Sequence, residues 1–235
     1  MFKISYLLFG WGNETFHYLG KILKTEYLLA RKRKPNTKKE DKNMMVICEN
    51  YITAEQPSNW SEMVEHFHSR TKKHIELVNK YTTKILALNL PEIIEKQLLQ
   101  EDHDCGKWIE PEYTPYIHLT WKYKTKGEYN PIEWQDKINQ ATFHHITKHR
   151  HHPEYWDSNV TINNLNLRNR DEPSGSIVDA TKMPLTFIAA MMADWLAMSE
   201  EKNSDIRDWY DKNVNIRWAF TEDQTRLMQI IMNSI

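Results

Sequence analysis

The sequence predicts an all-α fold, and three observations lead to this expectation. The chain of 235 residues is 40% apolar with a net charge of −1, which is typical of a globular domain without a general bias toward nucleic acid or membranes. Nine tryptophans and eleven tyrosines against six glycines favour a compact aromatic body over a turn-rich β-sandwich. Apolar residues recur at helical spacing along most of the chain.

Residues 1–43 are predicted to be a helical extension with a basic linker, and residues 44–235 to be the folded domain. The extension has a helix over about 14–33, and its apolar opening is too short and too interrupted for a transmembrane segment or a signal peptide. Residues 31–42 carry seven basic and two acidic side chains. Pro35 favours a solvated linker there, although such a run can also bind nucleic acid or an anionic membrane surface.

The domain is predicted to be a succession of helices. Asn59 or Ser58 can cap the first helix, Gly106 can end the second, and Thr221 with Gln224 form a capping-box pattern before the last. In chain order the predicted helices run from about Trp60 to Leu88, from Pro91 to the HDCGK segment, and over 111–123, 131–150, 183–200, 204–213 and 222–233.

A histidine tract, HHITKHRHHPEYW at 144–156, is the strongest chemical signal and contains five of the eleven histidines. If it is helical to about residue 151, its imidazoles form two neighbouring columns, with His145, His149 and His152 on one side and His144 and His151 on the next. Pro153 disfavours helical backbone at His152, so the helix should end there. Neutral imidazoles at this spacing can bind one metal ion, but histidine-rich tracts are about as often solvated.

Three further positions place polar groups where a metal site would need them. His74 lies on the apolar stripe of its helix, although a single such residue is more often a buried histidine bonded to a backbone carbonyl. The His103 and Asp104 pair is a weak signal by itself. Asp194 lies at the centre of an apolar stripe, where a carboxylate needs a strong cationic partner.

These residues occur in an order that resembles the H…HD…H…H…D signature of the HD-domain superfamily. The motifs HD-x-x-K, EPEY, HHxxxxxHHPEYW, MP, DW-x-A-M and WYDKN are also similar to those of a viral and bacterial family of unknown function, over about residues 60–215. The resemblance implies an HD-domain-like helical bundle that binds one or two divalent ions, with Mn, Fe, Mg, Zn or Co as candidates. It further implies a phosphohydrolase that acts on a small phosphorylated substrate such as a nucleotide.

The same resemblance implies a role for each candidate residue. The ligands of a first ion would be His74, His103, Asp104 and Asp194. Asp104 could bridge to a second ion held by His145 and His152. The catalytic candidates are Lys107, which could neutralise phosphate charge, and His151 or Glu154, which could hold the water or protonate the leaving group.

Residues 157–182 are predicted to be a long loop beside the site that orders around substrate. The segment has 26 residues without periodicity, and loops of this length are usually functional or disordered. Arg168, Arg170 and Lys182 are weaker candidates for gripping an anionic substrate, because cations on such a loop are usually only solvated.

Two other functions remain open at this point. Imidazole and carboxylate ligands also suit a di-iron oxygenase, and the metal could instead stabilise a non-catalytic binding module whose basic arm contacts nucleic acid. Two cysteines, Cys48 and Cys105, give no disulfide framework and favour a reducing compartment, so a cytoplasmic protein is expected, in the host cytoplasm if it is viral.

Overall fold

The computed structural model describes residues 57–96, 99, 103–169, 172 and 175–235. In these ranges the α-helices are α1 Trp60–Ala87, α2 Tyr113–Lys124, α3 Gln135–Lys148, α4 Leu185–Lys202, α5 Ile206–Asn213 and α6 Glu222–Ser234. The all-α prediction is therefore confirmed. The predicted helix at 14–33, the basic run at 31–42 and the boundary after residue 43 lie outside the described residues.

The main core lies between α1, α4 and α6. Helix α1 contributes Val78 and Ile85, which are seven residues apart and therefore lie on one face. Helix α4 is apolar around most of its circumference, as expected of a helix covered by neighbours on several sides. Each fully buried aliphatic side chain in this core contributes about 1.5–3 kcal/mol. In the described part of the chain, no helix combines the length and apolar character that crossing a bilayer requires.

The segment before α4 is tied to α6 by polar contacts. Two short strands, β1 Val178–Asp179 and β2 Trp218–Ala219, pair in parallel with Val178 opposite Trp218. The predicted capping box at Thr221 is present, because its side chain accepts from the Gln224 amide and the Gln224 side chain accepts from the Thr221 amide. The Gln224 side chain also donates to the Met183 carbonyl at 2.7 Å. These bonds fix the entry into α4, the helix that carries Asp194.

The helix predicted from Pro91 to the HDCGK segment is wrong for its described first part, residues 91–96, whereas residues 97, 98 and 100–102 lie outside the described residues. Residues 91–96 form a turn followed by mostly irregular backbone, and only a short 3-10 helix, Cys105–Trp108, follows the HD pair. Asp104 has a φ of 58°, a left-handed conformation that cannot continue an α-helix. Differences in helix propensity are at most about 0.7 kcal/mol per ordinary residue, so a favourable sequence does not by itself fix a helix.

The helix of the histidine tract also ends earlier than predicted. Helix α3 stops at Lys148, and His149 already has extended backbone with a ψ of 124°. His152, with a ψ of 134°, shows the effect expected before Pro153. The predicted columns of imidazoles along one helix are therefore wrong, because only His144 and His145 belong to α3. The remaining histidines of the tract lie on a turn.

Candidate metal centre

Asp104 lies at the centre of a buried cluster of imidazoles. Its Oδ1 atom is 3.2 Å from His145 Nε2 and 3.6 Å from His103 Nε2. Its Oδ2 atom is 3.7 Å from His74 Nε2 and 2.5 Å from Lys107 Nζ. The side chain is only 2% exposed. The left-handed backbone that interrupts the predicted helix thus belongs to the residue on which the cluster converges.

Asp194 closes one side of this cluster. Its Oδ1 atom is 3.1 Å from His74 Nε2 and 3.7 Å from His103 Nε2. Two ligands that each bind one ion at about 2.0–2.2 Å lie about 3–3.5 Å apart. The 3.1 Å contact falls in this range and the 3.7 Å contact lies just beyond it, so a small shift would allow a shared ion. The structure therefore brings together all four predicted ligands of the first ion, which come from α1, the HD turn and α4.

Both carboxylates of this set are held in the ionised form. Burial raises the pKa of Asp104, but the groups around it, Lys107 foremost, outweigh that effect and hold it well below its usual range. Burial likewise raises the pKa of Asp194, but the groups around it, with the hydrogen bond from His74 foremost, outweigh that effect and lower it below its ordinary value. Asp194 therefore has the cationic neighbourhood that its position on an apolar helix requires.

The second nitrogen of two clustered histidines faces another carboxylate. His145 Nδ1 is 2.8 Å from Glu112 Oε2, and His74 Nδ1 is 3.4 Å from Glu201 Oε2. Metal-binding histidines commonly use the second ring nitrogen in this way, which fixes the tautomer and the ring orientation. The sequence prediction did not select either glutamate. Two features of the sequence could have indicated them. Glu112 lies in the EPEY motif, and Glu201 is two helical turns after Asp194 on α4.

The turn after α3 supplies a second group of imidazoles. Ligand atoms of His145, His151 and His152 lie within 4.8 Å of one another, and so do those of His103, His151 and Asp194. His151 therefore belongs to both groups, and its ring centroid is 4.2 Å from that of His103 and 4.2 Å from that of His152. This arrangement brings the predicted pair His145 and His152 together and adds His151 between the two groups.

Two buried imidazole nitrogen atoms of the cluster lack hydrogen-bond partners in the described part of the chain, which suits metal binding. Among the described residues, neither His103 Nε2 nor His151 Nε2 has a hydrogen-bond partner. Burial lowers the pKa of His103 and holds the pKa of His151 well below its usual value. Both imidazoles are thus neutral at pH 7, the form that binds metal. Buried polar atoms without partners are uncommon in folded proteins, and a metal ion would satisfy both.

The other two predicted catalytic residues, Lys107 and Glu154, differ in their contact with this cluster. Lys107 is in direct contact with Asp104. Glu154 is 1% exposed and accepts a hydrogen bond from Trp218 Nε1 at 3.1 Å. None of the groups of potential metal ligands found among the described residues includes Glu154. The structure therefore places Lys107 in the cluster and Glu154 between the histidine turn and the core.

A cavity of about 330 Å³ opens beside the cluster. It is lined by Val78, Asn79, Thr82, Leu99, His103, Cys105, Lys148, His149, Arg150, His151, Phe187 and Ala190. Arg168 and Lys182 are not among these lining residues, and Arg170 lies outside the described residues. The cations at the cavity are instead Lys148 and Arg150, which the sequence prediction had not selected, although both belong to the histidine tract.

The loop predicted to order around substrate, residues 157–182, begins directly after the histidine turn. Asp157 Oδ2 accepts a hydrogen bond from the Asp179 amide at 2.9 Å, which brings the two ends of the loop together. No described residue of 157–182 lines the cavity. The ordering of this loop around a substrate stays a prediction.

Comparison with known proteins gives one family and no annotated relative. The model of a family of unknown function, DUF5662, matches residues 63–235. Neither a curated protein nor a solved structure matches the chain. The resemblance to HD-domain enzymes stays a prediction, and the metal cluster has to be interpreted from its own geometry.

Proposed function

We propose that this chain, which belongs to the DUF5662 family of unknown function, is a metal-dependent phosphohydrolase for a nucleotide or another phosphate ester. The observation that carries the proposal is the convergence of His74, His103 and Asp194 on Asp104, with ligand atoms 3.1–3.7 Å apart. The donors are nitrogen and oxygen without thiolate, a set that suits Mn, Fe, Mg, Zn or Co.

A network of ion pairs without metal is the simplest competing explanation. In support of it, Asp194 and Glu201 outweigh the effect of burial on His74 and raise the pKa of this imidazole to about 9. Such a network leaves His103 Nε2 and His151 Nε2 buried without a hydrogen bond. Because unpaired buried groups cost about 1–3 kcal/mol each, a metal ion accounts for the arrangement better than ion pairs alone.

The chain offers ligands for up to two ions. His74, His103, Asp104 and Asp194 would hold the first. The turn histidines His151 and His152 would hold the second together with His145, and Asp104 would lie between the two. Bound divalent ions supply a Lewis acid for a phosphoryl oxygen and a water of lowered pKa.

Protein groups around the ligands would bind the phosphate and handle the proton. Lys107 is a cation beside Asp104, where it could neutralise part of the phosphate charge. His151 is neutral at pH 7 because burial lowers its pKa, so it could bind metal or hold a water by a hydrogen bond but would not serve as an acid. Glu154, hydrogen-bonded to Trp218, is better suited to hold the turn than to contact substrate.

Metal analysis combined with a phosphate-release assay tests the proposal. The informative variant is His103→Gln, because His103 Nε2 makes no hydrogen bond that the change would remove. We expect the purified wild-type chain to contain a divalent metal and to release phosphate from a phosphate ester, and His103→Gln to lose both. The matched control is His66→Gln, which lies on α1 against Trp121 and outside the cluster.

The same measurements separate the other candidate functions. Bound iron with an ultraviolet-visible band and no phosphate release would favour the di-iron oxygenase. Metal that raises stability without turnover, together with salt-sensitive nucleic-acid binding, would favour the binding module. Equal phosphate release by wild type and His103→Gln would refute the phosphohydrolase proposal.

A further inference from the structure

The cavity reaches the cluster at the two histidines whose buried nitrogen atoms lack hydrogen bonds. His103 and His151 both line it and both belong to the groups of potential metal ligands. A molecule bound in this cavity would therefore lie next to these two histidines of the proposed metal site. The proposed function requires the substrate to bind there. The residues that line the cavity indicate which chemical groups it can accept.

One wall of the cavity is cationic. Lys148 is the last residue of α3, and Arg150 follows on the turn. The Arg150 guanidinium lies 4.8 Å from the centre of the Phe187 ring, and its carbonyl accepts a hydrogen bond from Trp156 Nε1 at 3.0 Å. None of the described residues that line the cavity is acidic. Because two cations line the cavity and no described carboxylate does, the wall favours an anion.

Another part of the lining, here called the apolar wall, consists of Val78 from α1, Leu99, and Phe187 with Ala190 from α4. Phe187 and Val78 are buried, at 4% exposure each, so their positions are fixed by the core. A second charged group placed against this wall would lose its hydration without a partner, which is costly. The wall therefore favours an uncharged organic group with an apolar face.

The size of the cavity limits the ligand further. Its volume of about 330 Å³ is near the lower end of the roughly 300–1,000 Å³ found for small-molecule sites. A mononucleotide is of this size, whereas a cyclic dinucleotide carries twice as many bases and phosphates. The dimensions thus favour a mononucleotide over a dinucleotide or a nucleic-acid strand as the ligand held within the cavity.

We infer that this cavity is the substrate site and accepts a phosphomonoester of mononucleotide size. The phosphate would lie toward His103, His151 and the two cations, and the uncharged organic part against the apolar wall. The inference rests on the proposed function and narrows its substrate class. In the reaction, a water oxygen forms a bond to phosphorus, the bond from phosphorus to the ester oxygen breaks, and a proton passes to that oxygen to give an alcohol and orthophosphate.

Binding measurements test the cationic wall independently of turnover. Calorimetry with adenosine 5′-monophosphate and with orthophosphate would be carried out on the full chain loaded with Mn²⁺. Replacing both Lys148 and Arg150 by alanine should weaken binding of both ligands about tenfold, because the change removes both cations of the lining and ion pairs near solvent are individually weak. The matched control is Lys73→Ala, an exposed lysine of α1 that does not line the cavity.

A second variant tests the apolar wall. Ala190→Leu adds volume on the half-buried face of α4 that lines the cavity. It should weaken binding of adenosine 5′-monophosphate while leaving orthophosphate affinity unchanged, because only the organic part meets this wall. Equal loss for both ligands, or no loss for either, would overturn the assignment of the apolar wall.

The outcomes distinguish failure of the site from failure of the function. Wild-type affinity in the Lys148 and Arg150 double variant would overturn the inferred site, and so would binding of a cyclic dinucleotide as tight as that of the mononucleotide. The absence of any mononucleotide binding to the wild type would also overturn it. Binding with the expected dependence on these residues but without phosphate release would uphold the site and refute the hydrolase.

Discussion

Asp194→Asn separates a metal site from an ion-pair network. The change preserves the shape of the side chain and removes its negative charge. This charge lies 3.1 Å from His74 Nε2, and hydrogen bonds with Asp194 and Glu201 outweigh burial and raise the pKa of His74 to about 9. The amide should therefore destabilise the protein even without metal, although Asp104 and Glu201 still compensate the imidazolium. Loss of metal-free stability alone does not identify a ligand, so the metal-dependent difference is the informative quantity.

The size of that difference follows from linkage. Metal at one hundred times its dissociation constant stabilises the folded state by about 2.7 kcal/mol. For a domain of this size, 1 kcal/mol corresponds to about 2–4 °C in melting temperature, so the wild type should gain about 5–10 °C. An amide binds such ions far more weakly than a carboxylate, so Asp194→Asn should lose most of the gain.

Thermal melting with Mn²⁺ and with a chelator measures this gain, and metal analysis of the dialysed protein accompanies it. Glu200→Gln is the matched control because Glu200 is an exposed carboxylate on the same helix that pairs with Lys80. It should keep the full metal-dependent shift. If Asp194→Asn retained both the shift and the metal content of the wild type, Asp194 would not be a ligand.

Two further substitutions test the surroundings of the cluster. A Cβ atom at Gly106 would lie 2.6 Å from His149 Nε2 and 2.8 Å from Glu112 Oε1, so Gly106→Ala should cost about 1–3 kcal/mol in urea unfolding, whereas Gly175→Ala, with open space around it, should be nearly neutral. Equal stability of the two variants would contradict this packing. Glu112→Gln replaces the carboxylate whose oxygen lies 2.8 Å from His145 Nδ1 with an amide. Because this carboxylate would orient a metal ligand, metal affinity measured by calorimetry should fall about 10- to 100-fold. Unchanged affinity would show that Glu112 does not orient a metal ligand.

The helices were predictable where apolar periodicity and end signals agree. Helix α1 was expected from Trp60 to Leu88 and is observed at Trp60–Ala87. The cap of α6 at Thr221 follows from its side-chain chemistry alone. Asp194 could be selected as a site residue because a carboxylate on an apolar helix face needs a compensating partner. In each case the information is local in the sequence.

The parts that were not predictable depend on contacts between distant segments. The left-handed backbone at Asp104 is adopted where its carboxylate meets Lys107 and His145, and nothing in residues 91–103 indicates this. Glu112 can be identified as a site residue only from the packing of α2 against α3. This packing brings His144 and His145 to its two carboxylate oxygens, at 2.8 Å each. A periodic pattern reports which face of a helix is buried, but not which polar groups meet there.

A histidine outside the metal cluster provides the last prediction. His118 is 1% exposed, its ring stacks on Trp134 with centroids 4.1 Å apart, and its Nδ1 atom is 2.6 Å from the Tyr129 hydroxyl. Burial, with a smaller effect of Lys137, lowers its pKa from 6.5 to about 4. As the pH falls below 6.5, the unfolded state therefore takes up a proton before the folded state does. The stability due to the neutral imidazole is fully present above pH 6.5 and is lost between about pH 6.5 and 4.

The expected loss is about 2–3 kcal/mol, since one pKa unit corresponds to about 1.4 kcal/mol. Urea unfolding of the wild type and of His118→Gln in the presence of a chelator, at pH 7 and at pH 4, isolates this contribution. The stacking lost in the variant costs the same at both values, whereas only the wild type carries the titrating group. The stability difference between the two proteins should therefore shrink by about 2–3 kcal/mol at the lower pH. A difference that stays constant from pH 7 to pH 4 would mean that His118 is protonated in the folded state as readily as in the unfolded chain, and that the aromatic contacts with Trp134 do not exclude the charge.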